Sequence, residues 1–312
     1  MFKSILSAFL LMASVAAITL AQDEKAAAAA LSADVIIWEP VDIKSRDLFR
    51  GPTSEGIVPA LEKVELIGRQ PGGNNLKFRL KDANGREWVA KVADESQAEV
   101  AATRLLWAIG YRTEIDQIVK RMQIEKVGNY KNARFEARPE TIKRGERWSW
   151  TNNPHMGTKE FDGLRLMMAF INNWDLKDEN NVVITENGKS YMMVSDLGSS
   201  FGKLSDKSKS RAGRSVNKPE HFAEAGFIKS VDNGVLVLDY RGAGEDYLKG
   251  IKVENARWLA DLLLQLSDKQ ISDAFRAANY ENEDVNLLTA AVKDRIAQLD
   301  RATKPQATQA SN

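Results

Sequence analysis

The sequence predicts an α+β protein of two lobes, with an antiparallel sheet and one main helix in the first lobe and mostly helices in the second. Short strand-like segments joined by turn residues fill the first half of the chain, and amphipathic helical segments follow residue 250. Between them, a polar run follows a strongly apolar helical segment. We therefore expect the first lobe at 61–150 and the second lobe at 151–302.

Both ends of the chain are expected to lie outside these lobes. Residues 1–21 combine an early Lys3, an apolar run and small residues before position 22, which is typical of a secretory signal peptide. The mature chain is then exported, to the periplasm or beyond the cell. The apolar run is shorter than the roughly 20 residues of a membrane span, although a retained N-terminal anchor is the alternative. The Gln/Ala/Ser tail, 303–312, is predicted to be disordered.

Charge and cysteine content exclude several classes of protein. The formal net charge is +1 and falls to 0 when Lys3 is removed, so nothing global attracts nucleic acid or an acidic membrane. No segment of the mature chain is apolar enough to span a membrane. The absence of cysteine excludes disulfides, thiolate catalysis and Cys-ligated zinc. Stability must come from a core, which the 43% apolar content can supply.

The first lobe is expected to begin with a meander of strands. The preceding segment, 22–60, predicts an irregular lead packed over this lobe, because it holds prolines and scattered apolar residues. Three strands follow at Val64–Ile67, Leu76–Leu80 and Trp88–Val92. Asn84-Gly85, between the last two, is a strong hairpin signal because both residue types tolerate positive φ.

One helix is predicted after the third strand. Apolar residues recur at helical spacing from Gln97 to Ile109, and Gly110 follows as a C-terminal cap. Two short strands are predicted at Ile115–Val119 and Met122–Val127. The stretch Lys126–Asn153 is polar and basic with little periodicity, so no element is assigned there and the first lobe ends within it.

The second lobe is expected to begin with an apolar helix at Phe161–Ile171. Polar residues 172–181 follow, and then two strands at Val182–Thr185 and Tyr191–Val194. A hairpin is predicted at Gly226–Tyr240. Three amphipathic helices complete the lobe, at Val253–Leu266, Ser267–Ala278 and Asp284–Leu299.

Acidic and amide side chains cluster around the predicted strand pair of the second lobe. Asp175 and Asn180 are five residues apart in the polar run, with Lys177 between them, and Asp196 follows the second strand. Phosphoryl transfer requires oxygen ligands for metal ions and a carboxylate near the attacking hydroxyl. The simpler interpretation of each residue alone is a helix cap or a turn.

A lysine and a glutamate in the first lobe add the cation that phosphates require. Lys91 lies on the third strand within Val89-Ala90-Lys91-Val92, and Glu99 lies near the start of the following helix. By itself such a pair is an ordinary surface ion pair worth under about 1 kcal/mol. Its occurrence together with the later motif, in this order and on these elements, favours a functional role.

The combined pattern resembles the protein-kinase-like superfamily over about 66–299. An Asp followed five residues later by an Asn matches the kinase catalytic loop, and Asp196-Leu197-Gly198 resembles the Asp-Phe-Gly motif. The chain departs from typical protein kinases in three ways: Asn173-Trp174 replaces the His-Arg before the catalytic Asp, there is no Ala-Pro-Glu motif, and a hairpin is inserted. It is therefore more similar to atypical branches such as HipA-type, phosphoinositide-kinase-type or secreted kinases. It also resembles exported bacterial proteins of unassigned role that share the stretches 105–111 and 172–178.

The resemblance implies a bilobal kinase-like fold that binds ATP with Mg²⁺ or Mn²⁺. Lys91 is then expected to contact the α and β phosphates, and Glu99 to hold that lysine by an ion pair. Asn180 and Asp196 are expected to bind the metal through oxygen, the ligand type that suits a hard cation.

The resemblance also assigns the groups that act on the transferred phosphoryl. Asp175 is expected to accept or orient the acceptor hydroxyl, and Lys177 to neutralise charge on the phosphoryl group. Gly72 and Gly73 lie where a phosphate-covering loop belongs. They lack the Gly-x-Gly-x-x-Gly pattern, so a plain hairpin loop is an equal alternative.

Three hypotheses for function follow from the sequence. The first is an exported ATP- and metal-dependent phosphotransferase, an atypical kinase acting on a hydroxyl of an unknown protein, lipid or glycan. The second is a catalytically idle kinase-like binding module, since exported compartments of bacteria hold little ATP. The third is an enzyme that transfers AMP on the same fold. The complete set of Lys91, Asp175, Asn180 and Asp196 favours catalysis over the idle module.

Overall fold

The computed structural model describes residues 31–53, 57–70, 75–124, 127–202 and 217–304. The predicted signal peptide lies outside these ranges, as do Gly72, Gly73 and residues 305–312 of the predicted tail. Within the described chain, an antiparallel sheet and its helix come first, and a mostly helical lobe follows. The predicted α+β bilobal fold is therefore confirmed.

The first lobe contains a five-stranded antiparallel sheet with the strand order β1-β2-β3-β5-β4. Its strands are β1 Glu65–Arg69, β2 Leu76–Lys81, β3 Glu87–Val92, β4 Asp116–Ile124 and β5 Gly128–Ala137. Successive side chains of a strand point to opposite faces. One face of this sheet carries buried apolar residues such as Phe78, Trp88 and Phe135, and the other face carries charged residues.

Two predictions for this sheet were wrong. The strands expected at Ile115–Val119 and Met122–Val127 form the single strand β4, and the stretch Lys126–Asn153 contains β5 and the short strand β6, Ile142–Arg144. The physical reason is that only the last five residues of β5, 133–137, alternate between apolar and charged residues, whereas the mostly polar residues 128–132 give no such pattern. The charged residues Arg134 and Glu136 are nevertheless buried.

The helix that follows β3, α1 Ser96–Ala108, packs into the second lobe as well as onto the sheet. It contacts a later helix, α5 Asp268–Ala277, directly. Its buried apolar residues belong to the same continuous core as the helices of the second lobe. The side-chain amide of Gln97 donates a hydrogen bond of 2.8 Å to the carbonyl of Asn279. Helix α1 is therefore fixed between the two lobes.

The second lobe matches the predicted elements closely and adds one short helix. Strands β6, β7 and β8 form one small sheet in that order, and β9 pairs with β10 in the inserted hairpin. The strands are β7 Asn181–Glu186, β8 Lys189–Val194, β9 Ile228–Asp232 and β10 Val235–Leu238. The helices are α2 Lys159–Phe170, α3 Pro219–Glu224, α4 Val253–Leu263, α5 and α6 Asn282–Thr303. Helix α3 was not predicted.

Residues 31–53 of the N-terminal lead contact both lobes rather than the first lobe alone. The backbone of Ile36 pairs with that of β8, and the indole of Trp38 donates a 2.6 Å hydrogen bond to the carbonyl of Ile109. The amide of Gln270 on α5 donates to the carbonyls of Ile43, at 2.7 Å, and Arg46, at 2.9 Å. The lead therefore ties the end of α1 to the second lobe.

None of the helices in the described part of the chain is both long enough and apolar enough to cross a membrane.

Gly110 is the position where the junction between α1 and the lead depends most on glycine. Its φ is +101°, and a Cβ there would lie 2.3 Å from the carbonyl oxygen of Glu39. We expect Gly110→Ala to lower the free energy of unfolding by about 3 kcal/mol or more, through backbone strain and overpacking. Chemical denaturation measures this effect.

Gly85→Ala is the matched control for that substitution. Gly85 also has a positive φ, +77°, but a Cβ there would meet nothing within 4 Å. The loss expected is about 1 kcal/mol, the cost of left-handed backbone alone. Equal losses for the two variants would contradict the packing described at Gly110.

Candidate active site

Lys91 lies at the centre of the charged face of the sheet and is 1% exposed. Its ammonium contacts three carboxylates. The distances are 2.9 Å to Glu99 Oε2 and 3.5 Å to Asp196 Oδ1, and Glu95 forms a third ion pair. Ligand oxygens of these three acids all lie within 4.8 Å of one another. The predicted pairing of Lys91 with Glu99 is therefore present, and Asp196 lies beside it although it is 105 residues further along the chain.

The charges around Lys91 fix its protonation state and that of Asp196. Burial alone lowers the pKa of Lys91, but the nearby carboxylates of Glu99 and Asp196 outweigh burial and hold this pKa above its usual range. Burial likewise raises the pKa of Asp196, and the positive charges of Lys91 and Arg134 outweigh it and bring the pKa below its usual range. Both groups are therefore charged at neutral pH.

A line of buried ion pairs extends from Glu99 along β5. The guanidinium of Arg134 donates to Glu99 Oε1 at 2.6 Å and to Glu136 Oε2 at 2.7 Å. Arg138 lies 2.7 Å from the other oxygen of Glu136. Arg134 is opposite Lys91 in the register of the sheet. Each residue in this line thus has a partner of opposite sign, which offsets part of the cost of desolvation. At Glu99 burial still outweighs Arg134 and Lys91 and raises the pKa of the carboxyl to about 7.

Arg144 on β6 connects this line to the strand that leads to Asp196. Its guanidinium donates to both oxygens of Glu114, at 2.7 and 3.0 Å, and to Ser195 Oγ at 2.7 Å. Ser195 directly precedes Asp196. The arginine therefore positions the backbone next to the acidic group of the second lobe.

The polar run after α2 folds into a loop that places its three predicted residues together. Lys177 Nζ lies 2.7 Å from Asp175 Oδ2. The side-chain amide of Asn180 donates at 2.9 Å to the backbone carbonyl of Asp175, and the backbone carbonyl of Asn180 accepts from the N–H of Ser195 at 2.7 Å. Asn180 thus links the loop to the residue before Asp196.

The segment that follows the inserted hairpin is hydrogen-bonded to the backbone of this loop. The N–H of Ala243 donates at 2.7 Å to the carbonyl of Trp174. The hydroxyl of Tyr240 lies 2.6 Å from the carbonyl oxygen of Asn173 and 2.9 Å from that of Ala243. The segment that follows the hairpin therefore has a structural role next to Asp175.

Lys91, its ion-pair partners and the loop that carries Asp175 line one cleft of about 700 Å³ between the sheet and the second lobe. The structure brings six predicted site residues together there, namely Lys91, Glu99, Asp175, Lys177, Asn180 and Asp196. Gly72 and Gly73 lie outside the described residues. The described lining is strongly charged, with seven Lys or Arg and six Asp or Glu side chains.

Several residues of the cleft were missed by the sequence analysis. Glu95 lies four residues after Lys91 and four before Glu99, a spacing that places it on the same side as both. Arg134 and Glu136 on β5, and Arg138 directly after it, lie two residues apart, so their spacing of two was the signal. Arg144 gave no signal, because its partners come from three distant segments.

No protein-family model and no curated protein matches the sequence. Among solved structures, the chain is similar to a crystal structure of the Helicobacter pylori proinflammatory kinase CtkA, at 9% sequence identity and a TM-score of 0.48. The match covers 78% of this chain and 95% of that chain. The assignment of a function rests on the geometry of the cleft itself.

Glu99 and Glu95 provide a matched pair of substitutions that tests the buried ion pairs. Glu99 is 3% exposed at its side chain and compensates both Lys91 and Arg134, whereas Glu95 is 15% exposed. We expect Glu99→Gln to lower the free energy of unfolding by about 3 kcal/mol, because it leaves buried cations undercompensated. Glu95→Gln is expected to cost about 1 kcal/mol. Guanidinium denaturation measures both losses of unfolding free energy, provided that the denaturant dependence (m-value) is unchanged. Equal losses for the two variants would contradict the special role of Glu99.

Proposed function

We propose that the protein is a nucleotide- and metal-dependent phosphotransferase that moves the γ-phosphoryl of ATP to a hydroxyl acceptor. The observation that carries the proposal is the convergence of Lys91, Asp175, Asn180 and Asp196 on one cleft from three separate segments. Phosphoryl transfer depends almost entirely on positioning and on electrostatic stabilisation. Cations, oxygen ligands and a carboxylate in one cleft supply both.

The donor set fits a hard divalent cation such as Mg²⁺. Asp196 is ionised, and its side chain is 38% exposed towards the cleft. The amide nitrogen of Asn180 is held by a backbone carbonyl, which leaves its amide oxygen as the free ligand atom. Glu95 and Glu99 are compensated by Lys91 and, for Glu99, by Arg134, so we assign the metal to Asp196 and Asn180. A bound metal would neutralise charge on the phosphate oxygens.

The other groups act directly on the substrates. Lys91 is held charged and nearly immobile by its three carboxylates, which preorganises it as a partner for phosphate oxygens. Lys177 is 39% exposed and neutralises charge on the transferred group. Asp175 orients the acceptor hydroxyl and accepts its proton. Its ion pair with Lys177 keeps the carboxylate and the ammonium on the same side of the cleft.

We also propose that the mature chain acts after export, on the basis of the signal-peptide pattern at 1–21. The acceptor is then a hydroxyl of an exported protein, a lipid or a glycan. ATP would have to reach that compartment. Because exported compartments of bacteria hold little ATP, the affinity of the protein for ATP decides whether the site is filled there.

Two substitutions separate binding from transfer. We expect ATP with Mg²⁺ to raise the thermal midpoint of the native protein, because a ligand that binds the folded state stabilises it. Asp175→Asn keeps this rise but lowers the rate of phosphoryl transfer by about 100-fold or more, since it removes the proton acceptor. Asp196→Ala loses both the Mg²⁺-dependent rise and the product. Intact-mass spectrometry and a screen of acceptors measure the product.

The same measurements distinguish the competing functions. A thermal rise without any product would favour the idle binding module, and added mass equal to AMP would favour the third hypothesis. An unchanged thermal unfolding midpoint with ATP and either Mg²⁺ or Mn²⁺ would contradict the nucleotide site itself.

A further inference from the structure

A second lysine, Lys77, faces the cleft directly beside Lys91. In the register of the sheet Lys77 on β2 is paired with Lys91 on β3, and both line the cleft. Directly opposite residues on neighbouring antiparallel strands have Cβ atoms only about 5 Å apart. The two lysine side chains therefore leave the sheet side by side on the same face.

The two lysines differ in how their charge is compensated. Lys91 has three carboxylate partners. Lys77 forms no ion pair with any carboxylate of the described residues and acts at longer range, where its charge helps to lower the pKa of Asp196. Like charges directly opposite each other destabilise a sheet. The charge of Lys77 is thus opposed by Lys91 and compensated only at longer range, by Asp196.

The cleft offers a ligand little apart from charge. Among the described lining residues, Val89 and Trp174 are the apolar ones, and Trp174 is itself largely buried. Small-molecule sites are usually lined mostly by apolar and aromatic groups. A nucleotide therefore gains little here from burying its base and must be held mainly through its phosphates.

We propose that Lys77 and Lys91 together form a subsite for a phosphate group of the nucleotide's polyphosphate chain. An anion between the two ammonium groups offsets their mutual repulsion and accepts a charge-assisted hydrogen bond from each. At Lys91 it would take the place of Asp196, whose carboxylate at 3.5 Å is the most distant of the described partners and is assigned to the metal. The charge of Lys77 is then balanced directly by the ligand. This inference rests on the proposed function and extends it, since it assigns a phosphate-binding role to a residue of β2.

The subsite recognises phosphate chains as such. Inorganic tripolyphosphate with Mg²⁺ is therefore expected to bind in the same place and to compete with ATP. Adenosine, which has no phosphate, is expected to bind at least 100-fold more weakly than ATP, because two or more charged contacts are lost.

Lys77→Ala, with Lys81→Ala as its control, tests the proposal. Lys81 is on the same strand and face and carries the same charge, but it is paired with Glu87 in the register and does not line the cleft. By isothermal titration calorimetry of the full chain, we expect Lys77→Ala to weaken Mg²⁺-ATP and Mg²⁺-tripolyphosphate about 10-fold, and Lys81→Ala to change both less than about twofold. Lys77→Arg keeps the charge and is expected to restore most of the affinity.

The stability of the ligand-free variants distinguishes a binding role from a structural one. Because Lys77→Ala removes both a repulsion by Lys91 and a longer-range attraction to Asp196, the unfolding midpoint of the free protein is expected to stay about the same. A fall in that midpoint, or equal ATP affinity in Lys77→Ala and the native protein, would overturn the inference and leave the proposed function standing. Native protein that binds neither ATP nor tripolyphosphate would overturn both.

Discussion

The structure depends on a line of buried charges that runs from Lys91 through Glu99 and Arg134 to Glu136. Removing such groups from water costs several kcal/mol for each ion, and their mutual attraction rarely exceeds that cost by much. Stability alone therefore gives no reason for this chain to place charge where one face of a sheet meets a helix. The arrangement is explained if the ammonium of Lys91 must be held in one position, charged, at the wall of a cleft.

The position of α1 determines whether this line exists, because α1 carries Glu99, the carboxylate that pairs with both Lys91 and Arg134. Here the helix shares a core with the second lobe and is attached at both ends, through Gln97 and through the lead residue Trp38. Asp196 and Asn180 belong to that same second lobe. Through Glu99, the cation is thus attached to the helix that shares a core with the lobe of the predicted metal ligands. Such an arrangement suits a reaction that depends on positioning.

The sequence predicted the parts of this site that use local spacing. Lys91 on a strand, Glu99 on the next helix, and the separation of Asp175 from Asn180 each follow from a short pattern. It did not predict β5, because only its last five residues alternate between apolar and charged residues. It also could not show that Arg134 and Glu136 are buried, since that burial depends on partners from other segments. It also missed the contact of the lead with α5, since Gln270 binds carbonyls more than 220 residues away.

The central claim is that a metal-bound triphosphate lies between Lys91 and the pair Asp196 and Asn180. The most direct test is a crystal structure with Mn²⁺ and a non-hydrolysable ATP analogue, in which anomalous scattering locates the metal. We expect the manganese to contact Asp196 and the amide oxygen of Asn180, with phosphate oxygens in hydrogen-bond contact with Lys91. Manganese bound among Glu95, Glu99 and Asp196 with Lys91 displaced, or a cleft without nucleotide at saturating concentration, would contradict the claim.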